Sequence, residues 1–195
     1  MAGVSGQQDA EGETLAAAIR GDALGKAALA SPSPEFRAEF LSMLLREDPL
    51  AAGIAATTAL AAHSDGKAVG IVIAGPSSKI LPKLLRQLGF ELALKYLVNA
   101  VKIELLAVEP DFRRSGAGSR LLAETIAIHA AAGAHVMHGQ FNTDRHEILE
   151  PFYRSHGFEI LRPDTPLDLG PFLGLDAPIG AMPDAGETMM YRRLH

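Results

Sequence analysis

The chain contains no cysteine among its 195 residues, and that absence removes disulfides, thiolate nucleophiles and the common soft metal sites together. An acyl group handled by this protein cannot pass through a cysteinyl intermediate. A large charge of either sign is missing too, since 18 Lys and Arg against 23 Asp and Glu leave a formal net charge of −5. That balance gives no global case for nucleic acid as a partner, so steering of an anionic ligand has to be local. The first 13 residues lack the basic flank and apolar run of a secretory signal. A cytoplasmic location is expected, with 1–12 as a flexible tail ahead of one domain over 13–195. At 48% apolar residues a single domain can bury a full core, and a second is not required. The longest apolar segment, Ile80 to Val98, approaches the length of a membrane span, but Pro82, Lys83, Arg86, Glu91 and Lys95 argue against insertion.

What is present is concentrated in residues 103–122. They read as a buried strand, a turn rich in arginine and glycine, and the start of an amphipathic helix. Gly116 and Gly118 remove side chains where a backbone must approach a ligand, and the N–H groups of a helix beginning near Ser119 point outward with the positive end of its dipole. Arg113, Arg114 and Arg120 add fixed positive charge, so a diphosphate suits the turn. A dinucleotide fingerprint would need a third glycine where Leu121 stands and an acidic residue about 20 positions on. A Walker loop would need Gly-Lys-Ser/Thr, which does not follow. An isolated Gly-x-Gly is usually an ordinary surface turn; this one has company on both sides.

Val108, Pro110, Arg113, Gly116 and Gly118, followed by Leu121 and Leu122, resemble the acetyl-CoA signature of the GNAT superfamily of N-acetyltransferases. Relatives often carry glycine where this chain has Arg114 and lysine where it has Ser115. A second stretch, Phe152, Tyr153, Gly157 and Phe158, resembles the family's later Phe-Tyr-x-x-x-Gly-Phe motif. The resemblance implies an acyltransferase that moves an acetyl or other short acyl group from acetyl-CoA to an amine by direct attack in a ternary complex. The pyrophosphate would be held by Arg113, Arg114, Ser115, Gly116, Ala117, Gly118 and Ser119. Leu106, Ala107 and Val108 would meet the pantetheine arm and thioester through their backbone, and Phe152 would lie beside the donor. An asparagine common in relatives upstream of the tyrosine is replaced here by Leu149 or His146 at the expected spacings, which leaves Asn142 as the candidate for its role. A non-catalytic module that binds acyl-CoA as a sensor or docking domain is the alternative. The resemblance implies a small-molecule or peptide amine as the acceptor.

Two early segments, Thr14 to Ala30 and Glu35 to Arg46, show helical spacing, with Phe36, Phe40, Met43 and Leu44 as the apolar residues of the second. Ser64-Asp65-Gly66-Lys67 between two β-capable runs signals a hairpin. Ile80 to Val98 includes helix and is expected to cover the acceptor pocket or to form a homodimer contact. A helix to about Ala132 follows the signature turn, then a strand from His135 to Phe141, a helix from Glu147 to His156, a strand from Phe158 to Leu161 and a last strand from Thr188 to Arg192. Pro163 to Gly186 has the composition of a long loop able to reach over the acceptor site. This order fits an α+β fold, and the resemblance implies a mixed, mostly antiparallel GNAT-like sheet with helices on both faces.

Acyl transfer to an amine needs the amine deprotonated, the carbonyl polarised and the leaving thiolate protonated or stabilised. Glu104 is the candidate base; two-residue alternation puts it on the side of Leu106 and Val108. The family position best known for that role aligns with Lys102. Tyr153 falls on the family tyrosine and is the candidate acid. Carbonyl polarisation would come from a backbone N–H near Ala107 or Val108. No metal is expected: His135 and His138 lie three apart on a strand and face opposite sides, and no cysteine or paired carboxylate completes a zinc set. An apolar cleft walled by Ile80 to Val98 would indicate a hydrophobic acceptor, and an acidic one a cationic amine.

Overall fold

The computed structural model describes residues 33–194. The expected tail and the Thr14 to Ala30 helix lie outside them. Ser33 caps the first described helix, α1 (Pro34–Glu47), through its hydroxyl, which accepts from the Phe36 N–H at 3.2 Å. Asp48 then accepts from the N–H groups of Leu50 and Ala51 to start α2 (Pro49–Ala55). The hairpin follows as β1 (Thr58–Ser64) and β2 (Lys67–Gly75). Asp65 and Gly66 both have positive φ, 50° and 74°, the pair of left-handed residues that a tight hairpin turn requires.

The apolar segment after β2 is two helices, α3 (Ile80–Leu88) and α4 (Phe90–Asn99), broken at Gly89 with φ 87°. Both turn inward, with Leu81, Leu84, Ala93, Tyr96 and Leu97 buried. Leu84 belongs to the core and Leu88 is exposed, so only the latter is free to contact another chain. The central strand β3 (Ala100–Val108) leads through the short helical turn Pro110–Phe112 into α5 (Ala117–Ala131). Then come β4 (Val136–Asn142), α6 (His146–Ser155) and β5 (Glu159–Ile160). The segment over 163–186 is not a bare loop. It carries a two-stranded sheet, β6 (Leu167–Asp168) with β7 (Gly180–Ala181), and a helical turn at Gly170–Leu173. Leu167, Leu169, Phe172 and Leu173 sink into the core. The last strand is β8 (Glu187–Arg193).

The main sheet has the order β1-β2-β3-β4-β8-β5 and is antiparallel except for β3 against β4. Helices cover both faces. On one, α1 to α4 and the 163–186 segment bury Ala100, Val136 and Met189; on the other, α5 and α6 bury Val101, Ile103, Met137 and Met190. The inward face of α1 differs from the sequence expectation, because Phe36 and Met43 are exposed while Arg37, Leu41 and Leu45 are buried.

Two buried histidines, His129 on α5 and His138 on β4, set the acid limit of the fold. Desolvation pushes each down to about 3 from 6.5, helped by the charge of Arg37 at the first and of Lys102 at the second. Between those values the unfolded chain binds protons that the folded chain refuses, so stability is complete above about pH 6.5 and is lost as pH falls. Urea unfolding from pH 7 to pH 5 is expected to show a loss on the order of 2 kcal/mol per histidine. A flat profile over that interval would mean that both rings charge freely in the native state.

Candidate active site

The strands β3 and β4 pair only at Ala100 with Val136, Val101 with Met137 and Lys102 with His138. Beyond that point β3 continues along β2, and β4 continues along β8 to Asn142. The two strands therefore diverge from a vertex at Lys102 and His138 and leave a wedge between Ile103–Val108 and Gly139–Asn142. Leu106, Ala107 and Val108 lie along the β3 side of this wedge.

At its wide end sits the arginine–glycine turn. Gly116 is the N-cap of α5 with φ 87°, a conformation that suits glycine and strains other residues. Arg114 is also left-handed, φ 64°, which gives the glycine of relatives at this position a backbone reason. The helix begins at Ala117, two residues earlier than expected, and Arg120 N–H is the first to reach a carbonyl of the turn, Gly116 O at 3.0 Å. The N–H groups of Gly118 and Ser119 precede that bond and are left for an external acceptor. Ala117 is buried beneath the turn, and its N–H faces the Ser115 hydroxyl at 3.4 Å. Arg113 folds back so that its Nε donates to Val108 O at 3.3 Å, which ties the turn to the end of β3. A Cβ on Gly118 would meet Val108 Cγ2 at 3.5 Å and Phe152 Cζ at 3.7 Å, ordinary contacts. Phe152 thus lies beside the turn. These residues fit a diphosphate: free N–H groups, the positive end of a 15-residue helix and two exposed arginines.

Tyr153 is 6% exposed and wedged in an aromatic group. Its ring stacks on Phe141 at 5.7 Å and meets Phe152 and Phe158 edge-on at 5.0 and 5.7 Å. Burial pushes the hydroxyl up to about 12, so it stays protonated. The protein offers that hydroxyl no hydrogen bond, and it is not among the polar atoms sealed from solvent. Asn142 ends β4, and its Oδ1 accepts from the Asp144 N–H at 2.8 Å. The amide nitrogen is the half of that side chain left for a ligand.

Glu104 departs from the alternation expected of it. Ile73 pairs with Leu105 and Ala74 with Ile103, so Glu104 is the extra residue of a β-bulge and has no partner on β2. Its carboxylate bonds the Lys102 ammonium at 2.8 Å instead of following Leu106 and Val108. The bulge also explains why Leu106 shares the α5 face with Val101 and Ile103.

Across the sheet from α5, at the vertex of the wedge, lies a cavity of about 370 Å³. Ile80, Leu84 and Leu88 of α3 wall one side, and Leu169, Ile179 and Met182 of the 163–186 segment the other. The floor is Lys102, His138, Gln140 and Met189. At the rim the Lys79 ammonium bonds Asp184 at 2.7 Å, and Gln140 Nε2 donates to the same carboxylate at 2.7 Å. Lys79 and Gln140 together hold the Asp184 carboxyl below its usual range. The 163–186 segment forms one packed wall of this cavity. Sequence reasoning missed Lys79, Gln140 and Asp184 because their meeting depends on sheet order; His138 was visible, but only as a rejected metal ligand. Among the described residues no three acidic or histidine side chains gather as a metal site would require, and no helix is long and apolar enough to cross a membrane.

A family model described as an acetyltransferase (GNAT) domain matches residues 55–160, more than half of the chain and the whole of the wedge, turn and aromatic group. The chain belongs to the GNAT acetyltransferase family. Among solved structures, a Klebsiella pneumoniae protein assigned as an acyl-CoA N-acyltransferase is similar with a TM-score of 0.53 and 18% identity, over 96% of this chain and 100% of that one. A GNAT-family protein of Desulfovibrio desulfuricans gives 0.50 and 16%, over 92% and 97%. At such identities the likeness is one of fold. No curated protein matches the sequence significantly.

Proposed function

We propose that the protein transfers an acetyl or other short acyl group from acyl-CoA to an amine, by direct attack with both substrates bound. The observation that carries this reading is the wedge: a turn that fits a diphosphate stands at its wide end, a buried tyrosine with an unpartnered hydroxyl packs against its β4 side, and a cavity lies at its vertex. Acetyl-CoA supplies the thioester. Arg113 to Ser119 hold its pyrophosphate, with Arg113 and Arg114 as charges and the Gly118 and Ser119 N–H groups as donors. The exposed backbone of Leu106 to Val108 receives the pantetheine arm and polarises the carbonyl, with the Asn142 amide nitrogen and the Phe152 ring on the opposite wall. The amine approaches from the cavity, and its nitrogen forms the new bond to carbon as the carbon–sulfur bond breaks. Tyr153 gives its hydroxyl proton to the departing sulfur. Glu104 serves as base through water, from a position where the Lys102 ammonium already engages it. The apolar walls of the cavity favour a hydrophobic acceptor. Thiol release across a panel of amines tests the reading; binding of coenzyme A without turnover of any amine would leave a binding module.

Gly118→Val separates binding from folding. A Cβ fits there without strain, so the control variant Gly118→Ala should match the parent in urea unfolding within about 0.5 kcal/mol, and the valine variant is read against it. The branched side chain would screen the two N–H groups, and the Kd for coenzyme A should rise by about tenfold or more, the loss of one or two charge-assisted hydrogen bonds. Unchanged affinity by calorimetry would place the pyrophosphate elsewhere.

A further inference from the structure

His138 is 1% exposed, and its two ring nitrogens, both sealed from solvent, have no hydrogen-bond partner, so a guest in the cavity reaches them only as a floor side chain gives way. Leaving a polar group in that state is costly, and in a native site it needs a reason. His129 differs, since its Nε2 meets the Thr58 hydroxyl at 3.0 Å in the core. His138 forms part of the floor of the cavity, and its pairing with Lys102 is the last before β3 and β4 diverge. The cavity therefore abuts the narrow end of the wedge in which the proposed carbonyl lies. Resting on the acyl-transfer reading above, we infer that the neutral His138 imidazole accepts a hydrogen bond from the acceptor amine, and that the site takes this amine uncharged, preferring weakly basic amines on an apolar body.

The surroundings support an uncharged guest. Lys102 faces His138 from β3, Tyr191 lies opposite it on β8 with its hydroxyl donated to Glu159, and Lys79, just ahead of α3, and Lys83 on it line the cavity. From α4, the Tyr96 hydroxyl accepts the Ser77 N–H. Of the nearby carboxylates, Glu104 is engaged by Lys102 and Asp184 by Lys79 and Gln140, while Glu187, at the start of β8, faces the Lys79 charge with a buried Oε2 that has no partner. Burial and the Lys102 charge hold the imidazole down to about 3, and the Lys102 charge disfavours an ammonium beside the ring as it disfavours the imidazolium. Peptide α-amines and aromatic amines fit this description, while lysine side chains and polyamines do not.

The test uses 2-phenylethylamine and its 2,2-difluoro analogue, which have the same shape but differ in basicity. The full-length protein is labelled with ¹⁵N-histidine, His138 is assigned by comparison with His138→Gln, and each amine is titrated at neutral pH in the presence of coenzyme A. The fluorinated amine should shift the His138 ring nitrogens at a concentration about tenfold lower, the equivalent of one hydrogen bond and a refused charge. An unperturbed ring, or equal or tighter binding of the stronger base, overturns the inference. In turnover, His138→Leu should raise the acceptor KM about tenfold and leave the acetyl-CoA KM alone, and His138→Gln, which keeps an acceptor oxygen, should recover part of the loss. An effect confined to the acetyl-CoA KM also overturns it. If coenzyme A binds and no amine of the wider panel releases thiol, the acyl-transfer reading fails, and the ring shifts still decide the role of His138.

Discussion

Tyr153→Phe is expected to lower kcat by about 10²-fold or more while leaving the affinity for coenzyme A and the stability of the fold unchanged. The kinetic part follows from the range for a positioned general acid. The hydroxyl is held protonated by burial, up to about 12, so it is a donor at any working pH and should add no basic limb to the rate profile. The structural part follows from what the ring touches. Phe141, Phe152 and Phe158 contact the face and edges of the aromatic ring, which phenylalanine retains. The hydroxyl makes no bond within the protein, so its removal strands no partner. Steady-state kinetics with urea unfolding of the same variant check both halves. Unchanged turnover would reduce Tyr153 to a packing residue that orders the donor, and the thiolate would then leave without an acid.

The parts of this site that could be read in advance are those written in backbone chemistry. The Asp65-Gly66 turn and the start of α5 at the Arg113 to Gly118 stretch depend on left-handed residues and free N–H groups, which glycine spacing announces directly. The position of Tyr153 came from the resemblance, and its burial among three phenylalanines came only with the fold. Alternation failed at Glu104 because a bulge inserts one residue without any local mark in β3. The 163–186 segment read as a loop because its two strands are two residues each and its prolines dominate the composition. Yet Leu167, Leu169, Phe172 and Leu173 are core residues, and Leu169 with Ile179 and Met182 walls a cavity the sequence did not show. That cavity joins β3, β4, α3 and this segment. Side chains as distant as Lys79 and Asp184 meet at its rim only after the sheet order β3-β4-β8 has been set.

Arg37 is the plainest case of a residue that periodicity could not place, and removing it should produce the largest loss of stability. Hydrophobic spacing on α1 pointed to Phe36, Phe40, Met43 and Leu44, but the helix turns so that Arg37 is 2% exposed, in line with Leu41 and Leu45. Its Nη1 donates to Val98 O at 3.2 Å and to Ala132 O at 3.1 Å. Those carbonyls belong to the last turn of α4 and to the C-cap of α5, where the negative ends of two helix dipoles converge and acceptors lack helical partners. One guanidinium therefore joins α1 to the ends of two helices on opposite faces of the sheet. Burial pushes it down only to about 10, so it remains charged at neutral pH. Arg37→Met keeps much of the aliphatic stem and deletes both bonds, and Arg37→Ala deletes the stem as well. Hydrogen bonds to a charged donor contribute about 1.5–3 kcal/mol each, so unfolding should lose about 3 kcal/mol or more in either variant, against a total of about 5–15 kcal/mol for a domain. Hydrophobic replacement of a buried ion can also be neutral when packing compensates for the lost charge. An Arg37→Met protein as stable as the parent would show that the desolvation of the guanidinium cancels its two bonds and that the helix ends are held by packing alone.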